Sequence, residues 1–146
     1  TAARAREGEK LAQLVRDRAT AMEQLIGTVV PRLPKVIASY QERLATRLRE
    51  AIGAGDEERI RQEVAVFATK IDVDEELSRL TAHIAELKRA LDEGGGVGKK
   101  LDFLMQELNR ESNTLASKSV DLTVTQAALE LKLLVEQMRE QIQNIE

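Results

Sequence analysis

The last stretch of the chain, "VTQAALELKLLVEQMREQIQNIE", constrains the fold more than any other. Val124, Ala128, Leu131, Val135, Met138, Ile142 and Ile145 recur at alternating steps of four and three residues over three heptads. That period keeps one apolar stripe on a helix facing a partner helix, and no strand can satisfy it. The segment Val73, Leu77, Leu80, Ile84, Leu87 and Leu91 repeats the same rhythm. Nowhere does the two-residue alternation of a strand appear. The expected fold is therefore all-α, an elongated bundle of long antiparallel helices with coiled-coil-like seams.

Composition agrees. The 146 residues are 42% hydrophobic and 32% charged, with Tyr40, Phe67 and Phe103 as the only aromatics. A core of Leu, Ile, Val and Ala suits helix packing better than a compact mixed globule. Cysteine is absent, which excludes disulfides and thiolate metal sites. No apolar run approaches the roughly 20 residues of a membrane span, and the charged start "TAARAREGEK" is unlike a signal peptide. A cytoplasmic setting is expected, and the missing initiator Met reads as a fragment or processed product. The net charge of −3 argues against indiscriminate polyanion binding, so any nucleic-acid contact needs a local basic patch.

Further boundaries follow from punctuation. A first helix should run to about Val29, with Leu11, Val15, Met22, Leu25, Ile26 and Val29 inward. Pro31 and Pro34 then demand a break or kink. A second helix is expected from about Lys35 to Ala51, burying Val36, Tyr40, Leu44, Leu48 and Ala51, closed by "GAGD". A short helix from about Glu57 to Thr69 uses Ile60, Val64 and Phe67. Asp72 and Glu75 have the spacing of a capping box ahead of the Val73–Leu91 seam. Glycines at 94–96 and 98 make a loop, and a helix from about Lys99 to Leu115 follows, with Leu101, Leu104, Met105, Leu108 and Leu115 apolar. The organisation is one helical domain over 1–146, subdivided into 1–55, 56–93, the loop 94–98, and 99–146.

Chemistry concentrates in "GKKLDFLMQELNRESNTLASKS". On the face expected to lie opposite the apolar stripe, Glu107 and Glu111, four apart, share a helix side and can offer oxygen ligands to a hard divalent cation, and Gln106 and Arg110 make a second pair at the same spacing. Asp72, Glu76, Arg79 and His83 run at steps of four, three and four on the preceding helix. His83 is the single histidine, the one side chain whose unperturbed pKa lies near neutrality. The short glycine loop makes the two helices antiparallel neighbours by expectation, so Glu76 and His83 are expected to meet Glu107 and Glu111. On spacing alone, the plainer reading of each set is a solvated face laced by ion pairs. "GGGVGKK" lacks the Ser or Thr of a P-loop, which removes nucleotide hydrolysis by that device. Lys99, Lys100, Arg110 and Lys118 remain phosphate contacts to weigh against plain solvated cations.

These blocks, with "EVAVFATKIDVDEELSRLTAHI" and "ELKLLVEQMREQIQNIE", resemble the C-terminal region of the bacterial YicC/YloC family across essentially the whole chain. Ser112 and Ala116 stand where Ala and Gly are commoner, small exchanges that should preserve packing. The resemblance implies a cytoplasmic, metal-dependent endoribonuclease that assembles as a homo-oligomer, a hexamer in the family. It also implies an N-terminal domain that this chain does not contain. On that footing Glu76, His83, Glu107 and Glu111 are expected to bind Mn²⁺ or Mg²⁺ and activate water against a phosphodiester. Arg79, Lys99, Lys100, Arg110, Asn113 and Lys118 are expected to hold the RNA backbone. Phe103 would stack on a base or be partly buried in the core. The competing expectation is a non-catalytic helical scaffold, or an adaptor for RNA processing.

Overall fold

A computed structural model describes residues 2–53, 55–94 and 98–145. Among these residues the chain forms helices α1 (Ala2–Val29), α2 (Leu33–Ile52), α3 (Glu57–Lys70), α4 (Asp74–Glu93), α5 (Gly98–Lys118) and α6 (Leu122–Ile145), and no strand. The architecture is all-α.

Four of these helices form the body. α1 packs on α6, α6 on α5, α5 on α4, and α4 back on α1, closing an up-down-up-down square. Leu80, Ile84, Leu87, Leu104, Met105, Leu108, Leu115, Leu131, Val135 and Met138 are fully buried at its centre, with Val15, Met22 and Val29 from α1. Both four-three stripes thus face inward, apart from half-buried Leu91, beside which Ala90 is buried. The side chain of Ile145 lies outside the described residues. Ser112 is fully buried, and its hydroxyl donates to the Leu108 carbonyl at 2.7 Å, so no polar atom is stranded there. Polar contacts fix the antiparallel registers. Arg16 pairs with Asp92 and Lys88 with Glu23 between α1 and α4, while Arg18 Nε donates to Gln137 Oε1 at 2.9 Å between α1 and α6.

The two prolines act as expected. α1 ends at Val29, a 3₁₀ turn carries Val30–Arg32, and Pro34 sits in the first turn of α2, where its missing amide costs little. Gly53 then closes α2 at φ 85°, a left-handed conformation that favours glycine, with its amide on the Arg49 carbonyl at 2.9 Å. Asp56 caps α3 by accepting the Arg59 amide at 3.3 Å.

α2 and α3 pair with each other and form an arm inserted between α1 and α4. The expected burial of α2 is therefore corrected. Val36, Tyr40, Leu44 and Leu48 are only half-buried and Ala51 is exposed, because α3 is their main partner and Leu33 alone reaches the body's core. The 1–55 segment accordingly splits, α1 joining the body and α2 the arm. The capping box is corrected as well. Val73 holds the cap position of α4, while Asp72 Oδ1 accepts the Asp74 amide at 2.9 Å and Glu75 turns to Arg79. The predicted loop at 94–98 is described only at its edges. Gly94 has φ 69°, Gly98 already begins α5, and 95–97 lie outside the described residues.

Candidate functional site

α4 and α5 run side by side in opposite directions, and three polar contacts set their register. Glu76 meets Lys118, Arg79 meets Glu111, and Glu86 meets Lys100. Each step forward along α4 is a step back along α5. His83, between Arg79 and Glu86, therefore falls against the turn of α5 that runs from Leu104 to Glu107, between Glu111 and Lys100. Helical spacing keeps Glu76, Arg79, His83 and Glu86 on one edge of α4, and Lys100, Glu107, Glu111 and Lys118 on the facing edge of α5. The two helices thus share one polar seam along the body.

At one end of the seam Glu76 is only 2% exposed. Lys118 Nζ donates to its two carboxylate oxygens at 3.3 and 3.1 Å, and also to the Asp72 carbonyl at 3.1 Å. The carboxylate also sits in the first turn of α4, where the helix dipole favours negative charge. One level along, Glu111 is 5% exposed with Arg79 Nη1 at 3.7 Å from its Oε2, while Arg79 Nη2 donates to Glu75 at 3.0 Å. At the far end Glu86 accepts from Arg89 and lies 2.6 Å from Lys100 Nζ. Those two donors, Arg89 first, hold its carboxyl down at about 2, and Glu86 in turn raises Lys100. Between these clamps stand His83 and Glu107, both half-buried and neither drawn into an ion pair among the described residues.

The four expected metal ligands share this seam without converging. Among the described residues no group of three or more His, Asp or Glu side chains is gathered for a metal ion. The physical reason lies in the alternation of signs, since Lys118 and Arg79 interleave with the acids and neutralise Glu76 and Glu111 one by one.

The face assigned to Glu107 and Glu111 is also corrected. Glu111 shares its stripe with Leu104, Leu108 and Leu115 and is buried, rather than lying opposite them. The outward stripe is Lys99, Phe103, Gln106, Arg110 and Asn113, all exposed, with Phe103 at 55%. Partial core burial of Phe103 is thereby excluded. Gln106 donates to Asp102 at 3.1 Å rather than pairing with Arg110. Of the expected RNA contacts, Lys99, Phe103, Arg110 and Asn113 are open to solvent, whereas Arg79, Lys100 and Lys118 are engaged by carboxylates. Glu86 was not anticipated. Its signal was the i, i+3 spacing to Arg89, but its reach to Lys100 depends on helix register.

The family described as "Endoribonuclease YicC-like, C-terminal" matches residues 29–146. The chain is 50% identical over 145 residues to a protein of Haemophilus influenzae named "Probable endoribonuclease YicC", covering 99% of this chain and 50% of that protein. It is 40% identical over 146 residues to a protein of the same name from Clostridioides difficile, covering 98% of this chain and 50% of that protein. The chain thus spans about half the length of these curated relatives. With a family match over most of its residues and this level of identity, the chain belongs to the YicC-like endoribonuclease family, whose C-terminal region it carries.

Proposed function

We propose that this chain is the helical part of a cytoplasmic endoribonuclease and that the α4–α5 seam takes part in cutting single-stranded RNA. The names of the relatives support the activity. The observation that carries the placement is the uncommitted His83–Glu107 level, flanked on α5 by exposed Phe103 and Arg110, one turn before and one turn after Glu107. An unstacked base on Phe103 and a phosphate on Arg110 bring the sugar–phosphate backbone past the seam. As the attacking oxygen bonds to phosphorus His83 accepts its proton, and the P–O bond to the leaving ribose oxygen breaks, that oxygen taking a proton from solvent; Glu107 orients the imidazole, and Arg79, steadied by Glu75 and Glu111, supplies positive charge to the phosphate. Asn113 and Lys99 extend the contact along the same face.

The divalent cation implied by the family resemblance finds no three-donor group among the described residues, and no step is derived through it. Association of copies is part of the proposal. Leu122, Leu129 and Leu133 form an outward apolar stripe on α6, separate from its buried seam, and such a stripe on a helix is suited to contact with another chain.

The test is cleavage of an end-labelled single-stranded RNA by the full chain, with Mn²⁺, with Mg²⁺ and with chelator, beside Glu107→Gln and Phe103→Ala. Cleavage that falls in both variants is expected. Cleavage indifferent to both removes the seam from the reaction and leaves this region a scaffold.

A further inference from the structure

The arm leaves the body at the end where α1 and α5 finish and α4 and α6 begin. There α2 runs past the α5–α6 turn and encloses a cleft of about 140 Å³ lined by Tyr40, Arg43, Leu44, Arg47 and Val120. A neighbouring hollow of about 300 Å³ continues it past Arg32, Lys35 and Asp121. Lys35, Arg43 and Arg47 follow steps of eight and four, which keeps them on one side of α2 over about 18 Å at 1.5 Å per residue, and Arg32 continues the row from the 3₁₀ turn before it.

Their ion pairing is unlike that of Arg49 and Arg61 on the same arm, while Arg59 and Lys70 of α3 stand outside this row. Arg49 is held by Glu57 and Arg61 by Glu58, so those charges are cancelled locally. Arg32 has only a long contact, 3.8 Å, to Asp121. Lys35, Arg43 and Arg47 are in no ion pair among the described residues. On a chain of net charge −3, a row of uncompensated cations along a concave surface is a local departure from the average. Tyr40, half-buried in the same row, adds an aromatic ring one turn from Arg43 and two turns from Arg47.

We infer that this cleft binds the backbone of single-stranded RNA. Lys35, Arg43 and Arg47 take successive phosphates, and Tyr40 receives an unstacked base. An aromatic ring set within a cation row matches a strand that offers both charge and π-faces, which an acidic peptide does not. A duplex would present no free base to Tyr40. The inference rests on the RNA-cleaving reading and adds a strand path leading from the arm toward the Glu76–Lys118 end of the seam.

Binding of a fluorescein-labelled uridine oligonucleotide to the full chain, measured across a salt series, tests it. Each phosphate contact on a single strand contributes about 0.7 to the slope of log affinity against log salt, so Arg43→Gln/Arg47→Gln should flatten the slope by about 1.4. Arg43→Lys/Arg47→Lys, which keeps the charge, should retain the slope and guards against misfolding as the cause. Tyr40→Leu should weaken binding about tenfold with the slope unchanged. Arg49→Gln/Arg61→Gln should leave the slope as it is. An unaltered slope in the Arg43/Arg47 glutamine variant overturns the cleft, and so does equal competition by polyglutamate. If the parent still cleaves RNA in either case, the RNA-cleaving reading stands without it. A parent that neither binds nor cleaves RNA defeats both.

Discussion

Replacing Lys118 by Met tests how the seam is held together. The substitution keeps the length and packing of the side chain but removes the donor that meets both oxygens of Glu76 and the Asp72 carbonyl. Glu76, 2% exposed, is left with a charge that water scarcely reaches. Losing one partner of a buried pair costs about 3–5 kcal/mol, far more than the pair's net worth against an apolar replacement. The Lys118 side chain is itself 35% exposed, so water enters the gap and the lower bound of about 3 kcal/mol applies. For a chain of this size that is a fall of about 10 °C in Tm. Glu76→Gln leaves a lysine free to turn into solvent and should cost only about 1 kcal/mol. The double variant removes the stranded charge, so it should be more stable than Lys118→Met alone by about 2 kcal/mol. Thermal and denaturant unfolding followed by far-UV circular dichroism measure all four corners. A Lys118→Met protein within about 0.5 kcal/mol of the parent, or strictly additive single changes, would refute the account of Glu76 as a buried, paired carboxylate.

Other outcomes follow from the same geometry. Glu86, held at about 2 against an ordinary 4.5, binds fewer protons folded than unfolded between those values. It therefore contributes stability above about pH 4.5 that is lost as pH falls toward 2, and Glu86→Gln should flatten stability against pH in that window; equal slopes would contradict it. Leu131→Ala, at a fully buried position, should cost about 2–5 kcal/mol, measured by urea unfolding. Leu129→Ser and Leu133→Ser, on the exposed stripe of α6, should leave the helical melt of the separated chain within about 0.5 kcal/mol and lower the mass seen by light scattering. Because Glu76 and Glu111 are already matched to cations, adding Mn²⁺ or a chelator to the RNA-free chain should leave its Tm unchanged.

Much of the fold was legible because the period of the apolar residues carries its own geometry. The four-three stripes of α4 and α6 required helix partners, and the two prolines required the break after Val29. Burial on α2 was not legible for a related reason. Its stripe is as regular as those of the body helices, but periodicity states which residues share a face and not how much protein covers that face. The site was legible as a list and not as an arrangement. Glu76, His83, Glu107 and Glu111 do lie on one seam, as their spacing within each helix allowed. That Arg79 and Lys118 interleave with them depends on the register between α4 and α5, which no local pattern encodes. Glu111 illustrates the difference, since a carboxylate within the Leu104, Leu108 and Leu115 stripe is tolerated only because α4 brings Arg79 against it. The cleft on α2 had a weaker signal still. Its cations are separated by apolar residues, and only the approach of Val120 and Asp121 makes them one surface.

The most direct measurement of the central claim is the single-turnover rate of RNA cleavage by His83→Gln at saturating RNA. Gln keeps a polar side chain at the level of Glu107 but cannot exchange a proton near neutrality. The account predicts a rate reduced about 10²–10⁴-fold with RNA affinity preserved. A rate equal to the parent's would contradict it, and would move the chemistry away from the α4–α5 seam.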